Sequence, residues 1–173
     1  MVTLDEIERK IQEGVNSVYG HNNYLWQVTH NCYPDNKYLY HTVGEPQAIE
    51  KLISILKQRN VRTGEFSTFD ISGIGRFAIQ FDKERLFEKG VRPVWWWSDE
   101  VPEGFVDYRS QSSQCEECAW IAPHTLDSKW FKGPGPLRFD DEDVIAVIVS
   151  NWYERLSVTV RNRLRQEGLG RFI

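Results

Sequence analysis

No stretch of this 173-residue chain approaches the run of about eighteen apolar residues that marks a membrane-spanning helix, so no membrane partner is expected. The opening MVTLDEIERKIQEGV carries acidic side chains and lacks the apolar block of a secretory leader. Cysteine is scarce: Cys32, Cys115 and Cys118 form an odd set and a poor disulfide framework, which fits a reducing compartment. Together these absences predict a cytoplasmic protein. An excess of basic charge is missing too, because 21 Lys and Arg stand against 25 Asp and Glu for a net charge of −4. That balance gives no global electrostatic reason to bind a polyanion and leaves room only for local basic patches. Internal repeats, low-complexity tracts and linkers are also absent, so a single domain over residues 1–173 is expected. A chain of that size buries a continuous core without metals or disulfides.

Apolar and aromatic material is plentiful. Nine Phe, seven Tyr and seven Trp supply a core and leave aromatics for a cleft. Residues 3–18 begin with Thr3 as N-cap and Glu6 three positions on, and place Leu4, Ile7, Ile11, Val15 and Val18 at helical spacing. They form the larger part of an N-terminal helical segment, 1–20. Residues 24–30, YLWQVTH, and 37–42, KYLYHT, have strand composition, with turn formers in NCYPDN between them. After Gly44 and Pro46, the residues Ala48, Ile49, Leu52, Ile53, Ile55 and Leu56 predict a helix with one wide apolar face. RFAIQF, 76–81, reads as a strand, DKERLFEKG as a short helix closed by Gly90, and VRPVWWW as a strand again. Residues 98–116 read as a polar loop until their end, and the Gly and Pro of 133–136 mark a further turn. DVIAVIVS, 143–150, is the most apolar run and predicts a central strand, followed by a basic C-terminal helical segment, 151–173. Strands mixed with helices, without regular βαβ spacing, indicate an α+β fold.

The ordered series YLYHT, a helix ending in VR, STFDISGIGRFAIQFDKERLFEKGVRPVWW, QCEECAW and DVIAVIVS resembles an ADP-ribosyltransferase-like domain. Within that fold it is most similar to the AbiGi-type abortive-infection proteins of bacteria, with IGRFAIQFDKERLFEKGVRPV as the closest stretch. The resemblance implies a central split β-sheet core over 24–150, flanked by helices, with NAD as a substrate. It implies transfer of ADP-ribose to a protein or nucleic-acid acceptor, as in a bacterial or phage-related defence toxin held in check by an antitoxin. A noncatalytic interaction domain of the same fold is the alternative.

The resemblance also assigns roles. Tyr40, His41 and Thr42 match the strand-end tripeptide that holds NAD in the histidine-bearing branch of the fold. Ser67 and Thr68, in EFSTFD, are similar to the Ser-Thr element of the arginine-bearing branch, a mixture of patterns. Cleavage of the bond between nicotinamide and ribose passes through an oxocarbenium-like state, so a carboxylate near the ribose lowers the barrier. In QCEECAW, Gln114 and Glu116 fall on one face of a strand and Glu117 on the other. Gln114 would then orient the acceptor, and Glu116 or Glu117 would serve catalysis. The AbiGi-type string places a second glutamate where this chain has Ala119.

Each of these residues also has a bland reading: His41 as a strand-end histidine, FSTF as an ordinary strand, and the glutamates as a solvated edge. Cys115-x-x-Cys118 has zinc-ligand spacing, with His30, Cys32 or His124 as further ligands, but without a second matched pair free thiols are expected instead, and no metal. The run Trp95, Trp96, Trp97 alternates faces in a strand, one of them core and the other facing a cleft or partner. Arg155, Arg161, Arg163, Arg165 and Arg171 form a basic tract that reads as a solvated helix face or a nucleic-acid contact.

Overall fold

A computed structural model describes residues 1–19, 37–44, 47–61, 65–67, 77–95, 98–107, 120–122, 137–149 and 154–173. The first helix, α1 (Leu4–Tyr19), begins where the capping pattern places it. The Glu6 backbone N–H donates to Thr3 Oγ1 at 3.2 Å, and the Thr3 N–H donates back to Glu6 Oε2 at 3.0 Å. Two orphan donors of the first turn are thereby satisfied. Ile7 and Ile11 carry the apolar face of α1 into the core. The remaining elements are β1 (Tyr38–Val43), α2 (Ala48–Gln58), β2 (Asn60–Val61), β3 (Glu65–Phe66), β4 (Phe77–Asp82) and α3 (Lys83–Glu88). Then come β5 (Arg92–Trp95), β6 (Val106–Asp107), β7 (Trp120–Ile121), β8 (Leu137–Arg138), β9 (Val144–Val149) and α4 (Glu154–Gln166). Among the described residues helices and short sheets mix without βαβ units, so the fold class is α+β.

Three strands form one antiparallel sheet in the order β1-β4-β9, and a second sheet runs β3-β7-β5-β6. The sheets meet where Tyr40 N–H donates to Ser67 O at 2.8 Å and Ser67 N–H donates to Tyr40 O at 2.9 Å. Helix α2 packs on β1 and β4 through Ala48, Leu52, Ile53 and Leu56. Full burial of a leucine such as Leu52 is worth about 1.5–3 kcal/mol, so this face fixes the helix more firmly than any single hydrogen bond. An aromatic chain runs through the core: Phe66 meets Phe81 edge-on at 5.7 Å, and Phe81 meets Phe139 at 5.2 Å.

The central strand is β4, not DVIAVIVS. Phe77, Ala78 and Ile79 are buried in succession, so both faces of β4 are covered, and it pairs on both sides. Among the described residues β9 pairs only with β4 and ends the sheet. Its pairing shifts between Gln80↔Ala146 and Phe81↔Val144, which leaves Ile145 as the extra residue of a bulge, 46% exposed. An apolar run records how well a strand fits a pleated, covered surface, and it does not record how many neighbours the strand has.

The segment expected as loop after residue 98 contains β6, parallel to β5. Trp95 belongs to the packed interior: its ring meets Phe105 edge-on at 5.1 Å and its indole N–H donates to Ser98 Oγ at 3.1 Å. Trp96, Trp97 and the predicted strand at 24–30 lie outside the described residues.

A polar clamp fastens the start of β9. Asp143, fully buried, accepts from Arg85 Nε at 2.7 Å, Lys89 Nζ at 2.9 Å and the Asp140 N–H at 2.8 Å. Burial alone would raise its carboxyl, but these three donors outweigh burial and hold it below the usual carboxylate range. Next to it, Asp141 binds Arg59 Nε at 2.8 Å and Arg171 Nε at 2.7 Å. The clamp thus joins α3, the end of α2 and the C-terminal turn.

Candidate functional site

His41 and Thr42 sit at the end of β1, opposite Ile79 and Ala78 of β4. Period-two alternation puts them on opposite faces. His41 shares the buried face with Leu39 and Val43, is 8% exposed, and its ring lies 5.9 Å from that of Phe66. Among the described residues nothing fills the space beyond this strand end. A cavity of about 410 Å³ opens there, and the last residues of β1 with Gly44 form one wall.

The facing wall comes from α2. Lys51, Ser54, Ile55 and Gln58 line it, at positions i, i+3, i+4 and i+7 of the helix, which is one continuous stripe. Asn60, just past the helix, also lines the cavity. Its placement follows from how α2 stops. Arg59 takes a left-handed backbone, φ 51°, and donates its N–H to Ile55 O. Its guanidinium holds Leu56 O at 2.7 Å and Asp141 at 2.8 Å. A non-glycine residue in that conformation is uncommon, and the clamp around Asp141 over-determines it. Immediately after this bend Asn60 pairs with Arg138 of β8.

Two polar atoms of this lining are buried without a protein partner: Thr42 Oγ1 and Asn60 Oδ1. A buried polar atom left unpaired costs about 1–3 kcal/mol, and Trp120 Nε1 and Ser157 Oγ, which do not line the cavity, are in the same state. Of the described lining residues, Lys51 alone carries a formal charge, and no described carboxylate pairs with it. The site is therefore mildly cationic and rich in neutral hydrogen-bonding groups, with Val43 and Ile55 as its apolar surface.

Of the residues expected at a functional site, the structure brings His41 and Thr42 to this cavity and places Tyr40 and Ser67 beside it. Tyr40 faces Gln80 across the β1–β4 ladder, and its hydroxyl accepts from Gln80 Nε2 at 3.1 Å. Ser67 is nearly fully buried and joins the two sheets through its backbone. Neither lines the cavity. Thr68, Gln114, Glu116 and Glu117 lie outside the described residues, as do Cys32, Cys115, Cys118, His30 and His124. Among the described residues no group of three His, Cys, Asp or Glu side chains could hold a metal ion, and no helix is long and apolar enough to cross a membrane.

The α2 stripe and Asn60 were missed from sequence, because Lys51 and Gln58 read as the solvated side of an amphipathic helix. The spacing of Lys51, Ser54, Ile55 and Gln58 directly after His41 was the available signal. Compared with known proteins, the chain matches no family model, no curated protein and no solved structure.

Proposed function

We propose that this chain is an ADP-ribosyltransferase-like enzyme that uses NAD as substrate to modify a protein or nucleic-acid acceptor, in the manner of a defence toxin with a cognate antitoxin. One observation supports it above the others: the His41–Thr42 end of β1 opens onto a cavity instead of packing shut. At about 410 Å³ the cavity lies in the range of about 300–1,000 Å³ common for small-molecule sites. Its hydroxyl, amide and imidazole groups suit a ligand built of ribose hydroxyls, amides and phosphates, and Lys51 suits the phosphate charge. Among the described residues β9 ends its sheet and does not take the central position that its apolar run predicts, so the cavity, and not the sheet order, carries this reading.

In this proposal His41 holds the nicotinamide-bearing ribose with Thr42 beside it, and a glutamate of the 114–117 segment serves the positive charge that develops as nicotinamide leaves. A carboxylate in that role is worth more in the transition state than in the ground state, so its loss lowers turnover more than affinity. The test is transfer of label from NAD into a cell lysate by the purified chain. Glu116→Gln should reduce the rate by roughly 10²-fold or more with a modest change in NAD affinity, and His41→Ala should weaken binding as well. Glu117→Gln is the control, and a large loss there instead of in Glu116→Gln reassigns the carboxylate. NAD binding by wild type without transfer makes the chain a noncatalytic interaction domain. Absence of NAD binding in every form ends the transferase reading.

A further inference from the structure

The charge of α4 is sorted by face. Ser157, Val160 and Leu164 are buried, and the opposite side shows Val158, Arg161, Asn162 and Arg165 to solvent at positions i, i+3, i+4 and i+7, one continuous stripe. No carboxylate stands among the exposed described residues of this helix, although the chain as a whole carries a net charge of −4. Arg163, on the flank, is taken up by Glu50 at 3.0 Å and Glu167 at 3.5 Å. Arg161 and Arg165 have no acidic partner among the described residues, and Arg165 donates to Asn162 Oδ1 at 3.3 Å. Arg165 stands in the last turn, where the helix dipole favours a cation, whereas Arg161 lies a turn earlier and has no such support. The stripe also has a position. Arg163 reaches Glu50 in the first turn of α2, and Lys57 in the last turn of α2 pairs with Glu167, one residue past α4. Helix α4 is thus fastened beside the helix that walls the His41 cavity.

We infer that the outer face of α4 is a docking surface for a nucleic-acid strand, gripped through its phosphate backbone by Arg161 and Arg165. The planar guanidinium fork matches phosphate oxygens two at a time, and an arginine with no carboxylate to leave loses no ion pair on binding. At about 1.5 Å per residue the two arginines stand about 6 Å apart along the helix, close to two steps of a strand at about 3.4 Å each, so one backbone can engage both. Phosphate contacts without base contacts give weak, sequence-independent binding, with Kd in the range of about 10⁻⁴–10⁻⁶ M. An anionic membrane is a poorer occupant, because the apolar side of α4 is buried in the core and Val158, 51% exposed, is the single apolar side chain of the stripe. Strand binding is a property of this face by itself. That the bound strand is the acceptor of ADP-ribose rests on the NAD reading, and the placement agrees with it, since a strand held along α4 runs beside the cavity wall.

The test is fluorescence anisotropy of labelled single-stranded DNA, single-stranded RNA and duplex DNA with the full chain, each over a salt series. The slope of log K against log salt should be about −1.4 for a single strand or about −1.8 for a duplex, as two phosphate contacts dictate, and the tightest probe names the form of strand. Arg161→Gln with Arg165→Gln, checked for folding by its melting curve, should weaken binding about tenfold at low salt and flatten the slope. Arg9→Gln with Lys10→Gln, at two exposed positions of α1, changes the net charge by the same amount and should bind like wild type. No binding of any strand, equal binding by wild type and the α4 variant, or an equal loss in the α1 variant would each overturn the inference. So would displacement of the strand by poly-glutamate at equal charge, which assigns the face to an acidic protein, or equally tight binding to phosphatidylserine vesicles. Strand binding that needs Arg161 and Arg165 in a chain that does not bind NAD keeps this inference and ends the transferase reading. NAD-dependent labelling of protein in a lysate by a chain that binds no strand does the reverse.

Discussion

The Asp143 clamp and the His41 cavity put buried polar groups to opposite uses. In the clamp every described oxygen of a fully buried carboxylate has a donor, two of them cationic. In the cavity Thr42 Oγ1 and Asn60 Oδ1 are as shut off from solvent, and no protein group satisfies them. The clamp fastens α3 to the start of β9 and, through Asp141, fastens the end of α2 to the C-terminal turn. It thereby holds Arg59 in its left-handed conformation and sets Asn60 at the cavity. Satisfied polar groups here fasten elements that are distant in sequence, and the unsatisfied ones lie on residues that line the cavity. Unpaired atoms alone do not mark the site, since Trp120 Nε1 and Ser157 Oγ are also buried without a partner and do not line the cavity.

The largest effect expected from breaking this contrast is at Asp143. Asp143→Asn keeps the shape and removes the charge that Arg85 and Lys89 share, and it should cost on the order of 2–3 kcal/mol. For a chain of this length that lowers the melting temperature by roughly 4–12 °C, readable by calorimetry. The same carboxylate sets a pH dependence. Its folded pKa lies below its unfolded value near ~3.9, so its stabilisation is fully present above that pH and is lost as pH falls through the folded value. The gap in stability between wild type and Asp143→Asn should therefore be full at pH 7 and shrink below about pH 4, whereas a gap independent of pH would mean that the charge is not what the clamp uses. The smallest effect carries the opposite sign. Thr42→Val removes an unpaired hydroxyl from a strand position that suits a β-branched residue, so it should leave stability unchanged or raise it by about 1 kcal/mol. A loss of stability larger than that would show that Thr42 serves the fold and would erase the contrast.

Local patterns were legible wherever a short segment carries its own instruction. The Thr3–Glu6 capping box, the apolar face of α2, and the short helix that follows Asp82 and closes at Gly90 all form as their residues predict. Each depends on interactions within a few residues, so spacing alone determines them. The pairing of strands was less legible. DVIAVIVS is the most apolar segment yet ends its sheet with a bulge at Ile145, while the more modest FAIQFD holds the centre. Hydrophobicity reports that a strand is covered, and the number of its neighbours is set by chain segments far away in sequence.

The same division holds at the cavity. His41 and Thr42 were singled out by the strand-end tripeptide of the resemblance, while Lys51 and Gln58 read as the polar side of the helix that follows. Only the tertiary structure decided that this polar side faces a cavity. It does so because α2 packs its other face on β1 and β4, and because Arg59, gripped by Asp141 from 82 residues away, turns the chain so that Asn60 joins the lining. A helix face becomes a binding wall through what stands opposite it, and what stands opposite is fixed by long-range packing and ion pairs that no window of neighbouring residues contains.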